Sequence, residues 1–206
     1  MRGIDGRMIY LLRHGQTMFN VERRFQGGLD SPLTALGVAQ AHAMGERLRD
    51  LIDPAQAALF VSPRRRTLET ARIIAEAADI PTTPIIDPDL AEVSLGSWDG
   101  RTGAEIDAQT AGQWSVLDRH GWFFETPDGE RYDAFETRLS RALARVRRHP
   151  APARIIVSHG VSGRILRGLH AGMARETMLA LPVPQGIIYR LDAEAIAEID
   201  CTSLIA

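Results

Sequence analysis

The chain has 206 residues, 45% of them hydrophobic, and a formal net charge of −2, which suits one large domain or two small ones and offers no general attraction to nucleic acid or membrane. All 24 basic residues are arginine, so a clamp for an anion has to be built from arginine, histidine, backbone N–H groups or helix ends. Cys201 is the single cysteine, which excludes an intrachain disulfide.

No Gly/Ser-rich or charge-block linker interrupts the chain, and a single domain over residues 1–206 is expected. Residues 1–7 lack the apolar core of a signal peptide, and no apolar run approaches a membrane span, so a cytoplasmic location is the expectation.

In chain order, Met8 to Leu12 reads as a strand. Pro32-Leu33-Thr34 opens a helix with Thr34 as N-cap, and Val38, Ala41, Gly45, Leu48 and Ile52 fall on one helical face. Ala58 to Val61 is a second strand, followed by Ser62-Pro63 as a helix start and by Leu68, Ala71, Ala75 and Ala78 at helical spacing. Pro84 to Ile86 is a short extended piece, and the irregular stretch from about Arg101 to Gly129 reads as a cap or insertion. Phe135, Leu139, Leu143 and Val146 mark another amphipathic helix. Ile155 to Val157 is a strand, Ser162 to Leu169 a helix, and Ile187–Tyr189 and Ile196–Ile199 close the pattern as strands. This alternation predicts an α/β fold, a three-layer α/β/α sandwich with a mostly parallel central sheet.

Two strand ends carry chemistry. Arg13-His14-Gly15 leaves the first strand and Ser158-His159-Gly160 leaves the strand at Ile155. Open α/β sheets bind ligands at such an edge, so the two histidines are expected to meet there. A second Arg-His-Gly, at Arg119-His120-Gly121, follows no clean buried strand and reads as loop or cap. His42, His149 and His170 show no metal-ligand spacing, and neither a metal nor another cofactor is expected.

Arg13-His14-Gly15-Gln16-Thr17-x-x-Asn20 resembles the signature of the histidine phosphatase superfamily, also called the phosphoglycerate mutase-like family. Phe25 to Thr34, Ser62-Pro63-Arg64-Arg65-Arg66-Thr67-Leu68-Glu69-Thr70-Ala71, Leu90-Ala91-Glu92 through Gly96-Ser97-Trp98-Asp99-Gly100, and Val157-Ser158-His159-Gly160 resemble further family segments in the same order. The matches run from Arg13 to Gly160 and together are specific.

The resemblance implies a phosphoglycerate mutase-like fold and a phosphohistidine mechanism with catalytic His14, Glu92, His159, Arg13 and Arg66. His14 would be the nucleophile, neutral, with its other ring nitrogen held by a hydrogen bond. Arg13 and Arg66 would offer guanidinium forks to phosphate oxygens, and a protonated His159 would complete the cradle. Glu92 would be the general acid, kept protonated by the phosphate dianion beside it. Gly15, Asn20, Gln26, Gly27 and Gly160 would join Arg13 and Arg66 in binding the phosphate or lining the entrance. Arg64 departs from the family pattern, which has an apolar residue there.

Trp114, Trp122, Phe123 and Phe124 read either as a cap over the substrate or as a satellite core. Arg145, Arg147 and Arg148 read as a solvated helix face.

The expected activity is metal-independent hydrolysis of a small phosphorylated metabolite. The alternative is a cofactor-dependent phosphoglycerate mutase, and a non-catalytic phospholigand-binding module ranks third. In the mutase branch the acidic element reads Glu-Arg-His-Tyr-Gly, whereas Glu92 is followed by Val93-Ser94-Leu95-Gly96. The natural substrate is not legible in the sequence, and homodimerisation is left open.

Overall fold

The computed structural model describes residues 7–193 and 195–205. Six strands form one sheet: β1 (Met8–Arg13), β2 (Ala57–Val61), β3 (Ile85–Ile86), β4 (Ala153–Ser158), β5 (Ile187–Asp192) and β6 (Ala195–Asp200). Their order across the sheet is β3-β2-β4-β1-β5-β6. The first four run parallel, and only β5 is reversed against its neighbours, as the middle strand of an antiparallel edge.

Side-chain alternation along the buried strands divides the interior into two cores. Tyr10, Leu12, Leu59, Val61, Ile155 and Val157 face helices α2 (Ala35–Leu51) and α3 (Arg65–Ala77). Ile9, Leu11, Phe60 and Ile156 face α5 (Tyr132–Arg148) and α6 (Gly160–Ala171). Three short helices complete the set: α1 (Met18–Val21), α4 (Gly103–Gln109) and α7 (Arg175–Ala180). The result is the expected α/β/α sandwich.

Most expected elements appear, and the differences have physical causes. Thr34 does cap α2, its side chain accepting from Gly37 N. The inward stripe of α2, however, runs through Gly37, Gln40, Ala41, Met44, Gly45 and Leu48, and Val38 is 41% exposed. Ser62-Pro63 does not start α3: Arg64 is the N-cap, without a side-chain cap, and the Ser62 hydroxyl meets His159 instead. On α3, Leu68 and Ala75 are only partly buried, while Thr67, Thr70, Ala71, Ile73 and Ile74 point inward. The stripe Phe135, Leu139, Leu143 and Val146 of α5 is buried as expected. Arg145 is not merely solvated, since its guanidinium grips Asp87 and Asp89 at 2.6–2.9 Å.

Register brings the functional strand ends together. Arg13 pairs with Ser158 and Val61 with Val157, so β1, β2 and β4 end at one level. His14 N then donates to Ser158 O at 3.0 Å and Ser62 N to Val157 O at 3.1 Å. The chain leaving β1 passes close to the start of α2: a Cβ on Gly15 would lie 2.2 Å from Gly37 O, and one on Gly37 would lie 2.0 Å from Gln16 O. Only glycine at both positions allows this approach, which fixes the path of the loop carrying His14.

Candidate active site

The two histidines meet as expected, their ring centroids 5.3 Å apart in an edge-to-face arrangement. His14 is buried, and its Nδ1 lies 2.8 Å from Gly15 O. A carbonyl only accepts, so Nδ1 carries the proton and the Nε2 lone pair is left available. Burial first, then the Arg66 and Arg13 charges, push His14 well below its ordinary value of 6.5 and keep the ring neutral. This is the protonation state a nitrogen nucleophile requires.

His159 differs from expectation. Arg66 Nε–H donates to its Nδ1 at 3.2 Å, which makes Nδ1 an acceptor and puts the ring proton on Nε2, facing Ser62 Oγ at 2.7 Å. Burial, Arg66 and the His14 ring drive it well below 6.5. In this arrangement His159 is a neutral donor held from both sides, not an imidazolium.

Arg66 is also more committed than its spacing implied. It is 1% exposed, and all its donors meet protein acceptors. Besides Nε on His159, Nη1 reaches Leu29 O and Asp30 Oδ1, both at 2.8 Å, and Nη2 reaches Gly27 O at 3.0 Å and Gln26 O at 3.4 Å. To bind an anion Arg66 must trade one of these bonds. Asp30, which nothing in the sequence marked as special, also accepts from the backbone N–H groups of Arg65 and Arg66 and so ties the loop before α2 to the start of α3.

Arg13 has capacity to spare. Its Nη1 donates to Val183 O, but its Nε is buried without a partner among the described residues. Burial lowers it to about 10, with Glu92 working in the other direction, so it remains a cation at neutral pH. A buried unpaired N–H is costly unless a ligand uses it.

Glu92 is 7% exposed and closes the N-terminus of α6. Its Oε1 accepts from Ser162 N at 2.9 Å and Val93 N at 3.1 Å, and its Oε2 accepts from Val161 N at 2.9 Å. The helix end thus fixes the carboxyl group, leaving Oε2 with the spare lone pair.

A cleft of about 160 Å³ is lined by Arg13, His14, Asn20, Gln26, Glu92 and Gly160 among others. Arg66 and His159 do not line it but pack behind His14, and His159 borders a smaller neighbouring hollow. Gly15 and Gly27 are scaffold: Gly15 N donates to Thr70 Oγ1, and Gly27 N donates to Asp99 Oδ1. Gln26 spends both ends of its amide on Thr17 and Ser31, while Asn20 Oδ1 is taken by Thr17 N and Gln185.

Sequence reasoning missed several contributors. Gln185 donates to His14 O, and Val183 borders the cleft, both from a loop without any motif. Arg24, Phe25, Leu95 and Arg164 also line the cleft. Trp122 and Phe124 are buried in the core and Trp114 and Phe123 pack against it, with Phe123 also bordering the cleft. Arg119 and His120 sit on an exposed turn, apart from the cleft. The Arg64 charge adds to the field that keeps His159 neutral, and its Nε is buried without a partner among the described residues.

Residues 9–197 match the sequence profile of the histidine phosphatase superfamily (branch 1), and the chain belongs to this family. It is 35% identical over 193 residues to the protein of Enterobacter sp. (strain 638) named "Probable phosphoglycerate mutase GpmB", covering 93% of this chain and 84% of that one. The fold is shared with the alpha-ribazole phosphatase from Shigella flexneri, at 27% identity and a TM-score of 0.78 over 92% of this chain and 98% of that one. A mycobacterial glucosyl-3-phosphoglycerate phosphatase is similar at 27% identity and a TM-score of 0.72, covering 94% and 96% of the two chains. None of the described helices is long and apolar enough to cross a membrane.

Proposed function

We propose that the chain is a phosphatase that hydrolyses a small phosphate monoester through a phosphohistidine on His14, without a metal. The observation that carries this reading is the state of His14: buried, neutral, its Nδ1 on Gly15 O, and open to a cleft shared with Arg13 and Glu92. Its Nε2 lone pair attacks phosphorus while the bond to the leaving oxygen breaks, and Glu92 gives that oxygen a proton. Water then attacks the phosphohistidine, Glu92 takes the water proton, the P–N bond breaks and inorganic phosphate leaves. Arg13, with its unpaired Nε–H, meets the charge on the phosphoryl oxygens.

Phosphoglycerate mutase activity is the second reading, favoured by the name of the Enterobacter relative. Against it stands the wall after Glu92, where the buried, apolar Val93 and Leu95 line the cleft. Neither of these two side chains can hold a glycerate carboxylate.

The test is turnover of a panel of phosphate monoesters in the presence of a chelator, with an acid quench to trap an acid-labile phosphoenzyme. Release of phosphate by the wild type, lost in His14→Ala, is expected. A strict requirement for added metal, or fast conversion of 3-phosphoglycerate to 2-phosphoglycerate without free phosphate when 2,3-bisphosphoglycerate is supplied, would overturn it.

A further inference from the structure

We propose that Arg164 selects monoesters whose leaving group carries a second negative charge. This rests on the phosphatase reading of the cleft and adds the chemical class of its substrate.

Three cations line the cleft, and their partners differ. Arg13 borders His14 and donates to Val183 O. Arg24 is already neutralised: its Nε pairs with Glu22 at 3.1 Å and its Nη1 with Glu105 at 2.8 Å. Arg164, on α6, spends only its Nε, which donates to Leu181 O at 2.7 Å. Neither of its Nη groups has a hydrogen-bond partner among the described residues, and it forms no ion pair. Burial lowers its basicity, while the Glu92 carboxylate in the same cleft raises it. Glu92 makes no hydrogen bond or ion pair with the guanidinium; its oxygens accept from backbone N–H groups of α6 and Val93.

Arg164 sits one turn along α6 from Gly160, and its charge is felt by Arg13 and offset by Glu92. The His14 end of the cleft is lined by Arg13, Glu92 and Gly160. Arg164 instead lies toward the Phe123 wall, its guanidinium carbon 5.9 Å from that ring. The Nε bond to Leu181 O orients the planar fork and leaves the Nη1/Nη2 edge for a carboxylate or similar anion. With Phe25, Leu95 and Phe123 on the walls, the cleft fits an apolar body that bears the phosphoryl group at one end and an anion at the other.

The test uses two non-hydrolysable ligands, phenylphosphonate and 4-carboxyphenylphosphonate. Their affinities for the wild type, Arg164→Gln and Arg164→Lys are measured by calorimetry, alongside hydrolysis of the matching phenyl and 4-carboxyphenyl phosphates. The wild type should favour the carboxylated ligand by about tenfold, the size of one charge-assisted contact. The ratio should fall to near one in Arg164→Gln and be partly restored in Arg164→Lys. Equal affinities in the wild type would overturn the proposal. So would an Arg164→Gln variant that weakens both ligands while keeping the ratio, because that result marks a structural or phosphoryl-binding role. A carboxylate preference in binding without turnover of any ester would defeat the phosphatase reading and leave the selective role of Arg164 standing.

Discussion

Arg66 Nε–H donates to Nδ1 of His159 at 3.2 Å, and this bond selects the tautomer of that ring. It forces the His159 proton onto Nε2, toward Ser62, and it places a buried positive charge next to both imidazoles. Two neutral histidines then lie edge to face, His14 with its Nε2 lone pair available and His159 with its one proton turned toward Ser62.

Ser62 is the outer end of that chain of contacts. Ser62→Ala should leave the buried His159 Nε2–H without an acceptor, at a cost of about 1–3 kcal/mol. Denaturant unfolding checks the loss. If the phosphatase reading holds, kcat should fall more than KM rises, because the displaced ring packs against His14, the nucleophile of that reading.

The two depressed histidines also predict how stability depends on pH. A base whose folded value lies below its unfolded value of 6.5 binds fewer protons when folded. Its contribution is fully present above about 6.5 and is lost as pH falls from there toward the depressed folded values. The melting temperature should therefore fall between pH 7 and pH 5. The double variant His14→Ala/His159→Ala should flatten that dependence. Asp89 is held below 3.8 by Arg141 and Arg145, so its titration belongs to a more acidic window and does not obscure the effect.

The sequence made the sheet edge legible because β1 and β4 are short apolar runs that each end in a histidine followed by glycine. Buried strands and long amphipathic helices such as α5 follow from local periodicity. The partners of Arg66 do not. Asp30, Gly27 and Leu29 come from a loop, and their roles depend on where that loop lands beside α3. The fork of Arg66 was visible as an anion donor, but its saturation by carbonyl groups was not. Gln185 and Val183 reach the site through the return of the chain into β5, a long-range event without a local signal. Arg164 looked like an ordinary helix residue until α6 was placed against the segment carrying Phe123.

Arg66→Lys tests whether the fork is needed as a shape or only as a charge. A lysine ammonium cannot serve Gln26 O, Gly27 O, Leu29 O, Asp30 and His159 together. Several buried acceptors would lose their donor, and the expected loss of stability is on the order of 3 kcal/mol. Removing Arg66 Nε–H also frees Nδ1 of His159, so the ring should titrate at higher pH than in the wild type, which NMR of the imidazole protons can follow.

Glu92→Gln separates the two duties of that carboxyl group. As a cap, it meets three converging N–H donors from Val93, Val161 and Ser162. An amide NH2 in place of one oxygen would face a donor with a donor, costing about 1–3 kcal/mol. As an acid, Glu92 matters in proportion to how poor the leaving group is. Hydrolysis of an alkyl phosphate should therefore fall by roughly 10²–10⁴-fold in Glu92→Gln. Hydrolysis of 4-nitrophenyl phosphate, whose phenolate leaves without a proton, should fall far less. Equal losses on both esters would mean that Glu92 only holds the helix end, and the proton would have to come from another group in the cleft.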